Sequence, residues 1–488
     1  MSCFVSTRNK NEVVDSRHAI INGLSGDGGL YVPVTIPRLD YRKLIGLSYP
    51  QAALHILRSW FDDFDTENLQ ECCEQAYSHF DDKDVCPVIS AGNTNITELF
   101  HGETYAFKDV ALSLLPRIMV KAQKSLGIDD KILILTATSG DTGSAAMNGF
   151  RNVEGTGIIV FYPHVGVSAI QRKQMVCMDG NNITACAVDG NFDDCQTAVK
   201  QVFTTLPHID GVRLSSANSI NIARLVPQIA YYFTTYIGLV KSGRLADGET
   251  MDFIVPTGNF GDILAGYYAK HMGLPVGNLV CASNANNVLT DFFHTGVYDR
   301  RREFFRTWSP SMDILVSSNL ERLLYHSQNG DTELVREQMS KLKSDGYYQI
   351  DADTINIIRG DFDAYCCDDK LTAQTIKGFF ESTGYVLDPH TAVAVYAEKE
   401  YRKMHPERVC AVMSTASPYK FPVSILDALG YDSDFEAFEP VRKLSSISKM
   451  PAPKGIEELA TKPELHTDVI GRESIKDYVT SHISELFR

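Results

Sequence analysis

Between about residue 96 and residue 430, short runs of largely apolar residues alternate with stretches of helical periodicity. Such runs occur at 131–135, 157–161 and 409–413, and each is apolar at nearly every position. A strand without polar alternation is buried on both faces, which is typical of a parallel sheet covered by helices. Because helical stretches follow the apolar runs, the pattern predicts strand–loop–helix units. We therefore expect an α/β fold.

Three of these units carry a loop of small and hydroxyl-bearing residues directly after the strand. The loops lie at 136–144, 256–262 and 414–422. Open α/β sheets bind their ligands at the carboxyl ends of the strands, where such loops meet. We expect these three loops to form the ligand site.

The two ends of the chain follow other patterns. Residues 49–60 and 67–80 have the periodicity of amphipathic helices, so residues 1–95 are predicted to form a helix-rich N-terminal domain. Residues 445–453, rich in Ser, Lys and Pro, predict a linker. A terminal helix is predicted at 473–486.

The composition narrows the class of protein. The 488 residues carry 46 Lys and Arg against 61 Asp and Glu, a formal charge of −15, which argues against a nucleic-acid partner and against a basic membrane-surface protein. No stretch predicts a membrane span or a signal peptide. The 11 cysteines are scattered without a CxxC pair, which predicts reduced thiols in the cytoplasm and no metal site. We expect a cytoplasmic enzyme.

The loop after the strand at 253–255 is the candidate anion site. It contains Gly258, Asn259, Phe260 and Gly261, and it leads into a predicted helix. Glycines allow close approach of an anion, and the N–H groups at a helix N-terminus favour negative charge. The loop therefore fits a small phosphate. A tight turn without a ligand is the alternative, since two glycines in a turn are common.

The loop after the strand at 131–135 is dense in oxygen-bearing side chains. Thr138, Ser139, Asp141 and Thr142 lie there, before a predicted helix. The cluster is suited to holding a carboxylate or an oxyanion. Helix capping is the alternative, but capping needs only one such side chain.

Two further residues supply chemistry for a cofactor. Lys108 lies at the start of a predicted helix beside Phe107, where partial desolvation makes an amine a candidate for Schiff-base formation; the alternative is an ordinary exposed lysine. Thr415 follows a strand and could bond a buried ring nitrogen, or simply cap a turn. Together with the two loops, these residues fit pyridoxal 5′-phosphate.

Several segments in order resemble those of the threonine synthase family in its long form, including threonine synthase-like proteins. The most specific of them are 106–109, 138–143, 218–221, 255–266 and 309–315. The resemblance implies a tryptophan-synthase-β-like fold (fold type II), with a large cofactor-binding domain at 96–127 and 251–488 and a smaller α/β domain at 128–250.

The resemblance also implies roles for the candidate residues. Lys108 would hold pyridoxal phosphate as a Schiff base, the loop at 258–261 would hold its phosphate, and Thr415 would face its ring nitrogen. Asp141 would lie near the ring. The loop side chains Thr138, Ser139 and Thr142 would receive the substrate carboxylate.

The implied reaction converts O-phosphohomoserine and water to threonine and phosphate. Arg224 and Lys420 lie in matching segments and are candidates to bind the substrate phosphate, although both could be ordinary surface cations. Glu103 replaces a proline that is usual in the family, which puts a carboxylate near this site. The alternatives are a phospholyase that releases 2-oxobutyrate, and a non-catalytic scaffold of the same fold. The oligomeric state is not set by these patterns.

Overall fold

The computed structural model describes residues 2–138, 140–165, 167–206, 209–431 and 438–487. Ser139, one of the candidate site residues, lies outside the described residues. Among the residues described, no helix is long and apolar enough to cross a membrane.

The N-terminal part contains a small three-stranded antiparallel sheet and three helices. Strand β1 is central in this sheet, between β2 and β3. The elements are β1 (Cys3–Ser6), β2 (Asn9–Asp15), α1 (Ser16–Asn22), β3 (Tyr31–Pro33), α2 (Tyr49–Trp60) and α3 (Thr66–Tyr77). The two predicted amphipathic helices are present as α2 and α3, with their apolar positions buried.

The next segment carries the candidate lysine. Its elements are β4 (Val88–Ala91), β5 (Thr94–Glu98), α4 (Lys108–Leu112) and α5 (Leu115–Ser125). The predicted helix that starts at Lys108 is divided into two helices, α4 and α5, in the structure. Pro116 lies in the first turn of α5, where the missing N–H of proline is tolerated, so a new helix begins there.

A parallel five-stranded sheet follows, in the order β16-β8-β7-β6-β9. The elements from this part of the chain are β6 (Lys131–Ala137), α6 (Asp141–Phe150), β7 (Thr156–Pro163), α7 (Ala169–Val176), β8 (Ile183–Asp189), α8 (Phe192–Thr205), β9 (Val212–Ser215), α9 (Ile222–Leu225) and α10 (Ile229–Lys241). The apolar run at 132–135 is fully buried in β6, as its lack of alternation predicts.

The longest stretch supplies most of a six-stranded sheet. The elements are β10 (Met251–Pro256), α11 (Gly261–Met272), β11 (Val276–Ser283), α12 (Val288–Thr295), β12 (Val297–Asp299), α13 (Leu320–Ser327), α14 (Thr332–Ser344), β13 (Tyr347–Gln349), α15 (Ala352–Arg359), β14 (Phe362–Cys366), α16 (Asp369–Thr383), α17 (Pro389–Met404), β15 (Cys410–Ser414) and α18 (Pro422–Ala428). The order is β14-β11-β10-β15-β5-β4, parallel except between β4 and β5. Strands β12 and β13 form a separate antiparallel pair.

The C-terminal part crosses back to the five-stranded sheet. Its elements are α19 (Glu439–Ser448), α20 (Lys454–Glu458), β16 (Val469–Gly471) and α21 (Ile475–Leu486). Strand β16 pairs with β8, and α21 packs against α8 and β7. The expected large domain at 251–488 includes all four elements, but only β16 and α21 pack with the smaller sheet, whereas α19 packs against α18.

The predicted linker at 445–453 is wrong for its first residues. Helix α19 extends to Ser448, and its side chains Val441 and Leu444 are buried. The spacing of these two apolar residues is that of a helix face, which the local richness in Ser and Lys conceals.

Candidate active site

Lys108 lies at the first position of α4, among the loops that follow β6 and β15. Its Nζ is 3.8 Å from Oδ2 of Asp141 and 4.7 Å from the centroid of the Phe107 ring. The side chain is only 12% exposed. The expectation of a partly desolvated lysine at a helix start therefore agrees with its position here.

The surroundings of Lys108 make its ammonium form less favourable than in an exposed lysine. Burial lowers the pKa of this amine below its usual value, and the charges of Arg224 and Lys420 act in the same direction. The carboxylate of Asp141 opposes this shift without reversing it. A neutral amine is the form that reacts with an aldehyde and that can accept a proton.

Asp141 is the most heavily contacted carboxylate of the site. It is the first residue of α6, and its Oδ1 accepts from Nε2 of Gln171 at 2.8 Å and lies 3.1 Å from Nζ of Lys420. Oδ2 accepts from the Ser311 hydroxyl at 3.1 Å. Burial opposes its ionisation, but the charges of Lys420 and Lys108 outweigh burial and hold the pKa of Asp141 below its usual value.

Lys420 is fully buried, contrary to the alternative of a surface cation. Besides its ion pair with Asp141, its Nζ donates to the backbone oxygen of Thr104 at 2.6 Å and to Oε1 of Gln174 at 2.7 Å. An ammonium group has three N–H donors. The three acceptors around Lys420 therefore occupy all of them.

Arg224 is also buried, with 4% exposure, but its surroundings differ. Its Nη1 donates to the backbone oxygen of Ala217 at 2.6 Å, while its Nε has no hydrogen-bond partner. No described carboxylate lies within 4 Å of it, and burial lowers the pKa of its guanidinium to about 10. A buried cation without a counter-charge is costly unless a ligand supplies the negative charge.

The glycine loop at 258–261 presents free backbone donors at the start of α11. The four N–H groups from Gly258 to Gly261 donate to no acceptor in the described part of the chain. Phe260 adopts a left-handed conformation (φ 63°), which turns the backbone into the helix. A Cβ on Gly258 would lie 2.9 Å from the backbone oxygen of Ser311, so only glycine fits. This is the geometry of an anion-binding loop.

The remaining candidates differ in whether their hydroxyl groups make hydrogen bonds within the described part of the chain. Thr415 adjoins the lysine segment, since its backbone oxygen accepts from the N–H of Phe107 at 2.9 Å; its hydroxyl bonds no described residue. The hydroxyl of Thr142 also bonds no described residue. The hydroxyl oxygen of Thr138, in contrast, accepts from the N–H groups of Gly140 and Gly143 and so shapes its own loop.

The sequence patterns did not single out Ser311, His390 or Gln171 as parts of this site. His390 is buried, its Nδ1 lies 2.8 Å from Oδ1 of Asp388, and its Nε2 accepts from the N–H of Ser311 at 3.1 Å. Gln171 and Ser168 form a capping box, which predicts the start of α7 but not the contact of Gln171 with Asp141.

Glu103 points away from these groups. Its carboxylate pairs with Arg151 at 3.2 Å and accepts from the Asn148 amide at 3.0 Å, near the surface. Within the residues that are described, no group of three or more His, Cys, Asp and Glu side chains could hold a metal ion.

Comparison with known families gives two matches. Residues 3–77 match "Threonine synthase N terminus", and residues 391–479 match "Threonine synthase, C-terminal". The chain is 39% identical to threonine synthase of Pseudomonas aeruginosa over 429 residues, which cover 86% of this chain and 89% of that protein. It is 36% identical to threonine synthase of Saccharomyces cerevisiae over 482 residues, 91% and 93% of the two chains.

Solved structures extend the likeness to the whole fold. The structure of yeast threonine synthase aligns with a TM-score of 0.89 at 34% identity, covering 99% of this chain and 98% of that one. The PLP-bound threonine synthase from Brucella melitensis aligns with a TM-score of 0.87 at 37% identity, covering 99% of both chains. The expected α/β, tryptophan-synthase-β-like fold of type II is confirmed.

One group of relatives is longer than this chain. The human protein threonine synthase-like 1 is 40% identical over 432 residues, which are 84% of this chain but only 57% of that protein. The match to the bacterial and yeast enzymes, by contrast, runs over most of both partners. The chain belongs to the threonine synthase family.

Proposed function

We propose that the protein is a pyridoxal-phosphate-dependent threonine synthase, a carbon–oxygen lyase that converts O-phosphohomoserine and water to threonine and phosphate. The observation that carries this proposal is the buried Lys108, whose surroundings lower the pKa of its amine, together with a buried Arg224 that has no described carboxylate partner. An aldehyde cofactor needs the first group, and a phosphorylated substrate needs the second.

The residues present fit pyridoxal phosphate. Lys108 would hold it as a Schiff base, and the free N–H groups of Gly258, Asn259, Phe260 and Gly261 would bind its phosphate. The free hydroxyl of Thr415 would face the ring nitrogen. When bound, the cofactor supplies an electron sink for negative charge that develops beside the substrate's amino group.

The chain's own groups would carry the proton transfers. The neutral amine of Lys108 would remove the proton from Cα of the substrate and then one from Cβ. Asp141, held ionised beside Lys108, would stabilise the ammonium form that results each time. Phosphate would leave Cγ, Cγ would gain the proton taken from Cβ, and Cα would regain its own. Water would supply the hydroxyl at Cβ and its remaining proton would leave with the phosphate, so that one water is consumed for each phosphate released.

Two sets of groups would bind the substrate anions. The guanidinium of Arg224 would receive the leaving phosphate, because it is buried and lacks a described carboxylate partner. Lys420 is a second candidate, although it could reach a ligand only by releasing one of its three acceptors. Thr142, with Thr138 and Ser139 of the same loop, would receive the substrate carboxylate.

The test is a product analysis on the purified full-length protein with pyridoxal phosphate and O-phosphohomoserine. We expect equal amounts of threonine and phosphate, and no product from Lys108→Ala. Release of 2-oxobutyrate without threonine would instead identify a phospholyase. Absence of a visible absorption band after addition of pyridoxal phosphate would support a non-catalytic scaffold of this fold.

The proposal includes the organisation and location of the enzyme. We divide the chain into an N-terminal domain at 1–95, a large cofactor-binding domain at 96–127 and 251–488, and a smaller domain at 128–250; strand β16 of the large domain pairs with the sheet of the smaller one. No disulfide joins the cysteines of the described residues, which supports a cytoplasmic location.

A further inference from the structure

The carboxylate of Asp141 is held from three directions by groups that come from distant parts of the chain. Gln171, on α7, donates to Oδ1, and Lys420, beyond β15, forms an ion pair with the same oxygen. Ser311, in the segment before α13, donates to Oδ2. Lys108 lies farther off than any of these groups, at 3.8 Å from Oδ2.

Each of these partners is itself fixed. Lys420 is anchored by the Thr104 backbone oxygen and by Gln174, one turn of α7 beyond Gln171. Ser311 is anchored by its N–H bond to His390, a neighbour of the buried Asp388. Movement of the carboxylate toward Lys108 would therefore stretch its hydrogen bonds to Gln171 and Ser311.

We propose that Gln171 and Ser311 are positioning residues, which hold the Asp141 carboxylate out of direct hydrogen-bonding contact with the Lys108 amine, so that the amine loses its proton more readily than it would in a close ion pair. The proposal rests on the proposed function only in assigning the Lys108 amine to Schiff-base formation and proton transfer. The arrangement itself is a property of the chain without cofactor or substrate.

The direction of the effect follows from distance. At 3.8 Å the attraction between the two groups is weaker than in a hydrogen-bonded pair of about 2.8 Å. If the carboxylate were free to turn, it would close on Lys108 and favour the ammonium form. A protonated lysine neither forms a Schiff base nor accepts a proton from substrate.

Other charged groups face Lys108 from the elements around it, and they remain in place in the variants below. They are Asp109 on α4, Arg224 on α9, Asp262 on α11 and Lys420 beyond β15. His390, on α17, faces Asp141. Because Gln171 and Ser311 are uncharged, replacing them leaves this set of charges unaltered.

The test measures the protonation of Lys108 directly. The cofactor-free full-length chain is labelled with limiting acetic anhydride between pH 6 and 11, and acetylation of the Lys108 peptide is measured by mass spectrometry. In Gln171→Met and Ser311→Ala we expect the midpoint of labelling to rise by roughly one pH unit or more. The visible band that forms on adding pyridoxal phosphate gives a second readout: the pH midpoint of its formation rate is expected to rise in the same variants.

The matched control is Gln123→Met. Gln123 is equally buried, on α5, and its amide donates to the backbone oxygen of Asp130, away from the site. Its midpoint is expected to equal that of the native chain. Gln171→Met also removes one hydrogen bond of a capping box, so circular dichroism is recorded for every variant. If Gln171→Met disturbs α7, the result for Ser311→Ala alone is used to judge the proposal.

Midpoints unchanged from the native chain in folded Ser311→Ala and Gln171→Met would overturn the proposal. A shift in Gln123→Met as large as in the other two would also overturn it, since loss of any buried amide would then suffice. The labelling uses neither substrate nor cofactor. Failure to form threonine would therefore count against the proposed function and leave this result intact.

Discussion

Gly455 lies directly against the hydroxyl of Tyr105, a contact that joins residues 350 positions apart in the chain. The N–H of Gly455 donates to the tyrosine oxygen at 3.1 Å, and a Cβ on this glycine would lie only 2.4 Å from that oxygen. Tyr105 has a left-handed backbone (φ 59°) and lies three residues before Lys108. The C-terminal part of the chain thereby helps to set the segment that carries the lysine.

The first prediction concerns this contact. Gly455→Ala should destabilise the protein by about 1–3 kcal/mol, because the added methyl group meets the Tyr105 oxygen and displaces a partly buried ring. Thermal unfolding of the full chain measures the loss. In a Tyr105→Phe background the same substitution should cost less, because the oxygen is gone and only the ring carbons, at 3.2 and 3.3 Å, remain close to the methyl group. Equal destabilisation in both backgrounds would contradict the contact as its cause.

The second prediction concerns His101 and pH. Its Nδ1 is 2.6 Å from Oδ1 of Asp81 and its Nε2 is 2.9 Å from Oε2 of Glu98. Burial favours the neutral ring, but the hydrogen bonds to Asp81 and Glu98 outweigh it and raise the pKa of His101 to about 9. The histidine is therefore a charged structural link, not a contact of the candidate site residues.

The sign of the pH effect follows from that pKa. A pKa raised from its usual 6.5 stabilises the folded chain fully below pH 6.5, and this stabilisation is lost as pH rises through 9. We expect His101→Gln to lower the free energy of unfolding by about 1–2 kcal/mol at pH 6 and by little at pH 10. The figure at pH 6 is modest because Asp81 is half exposed and solvent screens its charge. Denaturant unfolding of both proteins across this range checks it, and a constant difference would count against the link.

The parts of the fold that could be predicted from the sequence are local ones. An unbroken apolar run such as 132–135 is buried on both faces in any covered parallel sheet, and the glycine loop at 258–261 follows its strand directly. The break after α4 is not predicted by the apolar pattern, because that pattern continues through Pro116 into α5.

The parts that could not be predicted depend on residues far apart in sequence. Ser311 lies 170 positions from Asp141, and Lys420 lies 316 positions from Thr104. No local sequence pattern predicts either contact. Burial of Arg224 and Lys420 was equally hidden, because an exposed cation and a buried one have the same sequence signature. The roles of the site residues therefore stay predictions, although their neighbours are now defined.

A third prediction concerns the glycine loop. Gly258→Ala would bring a Cβ to 2.9 Å from the Ser311 backbone oxygen and 3.2 Å from the Met312 Cα, and backbone atoms yield less easily than side chains. The loop should shift, and its N–H groups should lose their alignment for a phosphate. We expect the dissociation constant for pyridoxal phosphate to rise roughly tenfold or more, measured by absorbance titration.

Gly378→Ala is the control for that experiment. Gly378 lies inside α16, has no atom within 4 Å of the added methyl group, and has an ordinary helical backbone. Alanine there should stabilise the chain by about 0.4–1 kcal/mol through helix propensity and leave cofactor affinity unchanged. A loss of affinity in both variants would show that the Gly258 effect is not local.

The last prediction concerns Arg224 and compares its effect on the stability of the fold with its effect on phosphate binding. A buried guanidinium without a described carboxylate partner is retained at a cost to folding, since burial alone lowers its pKa to about 10. Arg224→Met should therefore raise the stability of the ligand-free chain, by about 1–3 kcal/mol, although the Ala217 oxygen loses one bond. The same variant should bind inorganic phosphate at least tenfold more weakly and need more O-phosphohomoserine for half-maximal rate. Unfolding and phosphate titration on one preparation test the two halves separately: unchanged phosphate affinity would mean that Arg224 does not bind the anion, and lost stability would mean that the buried guanidinium stabilises the fold by its own packing instead of costing free energy.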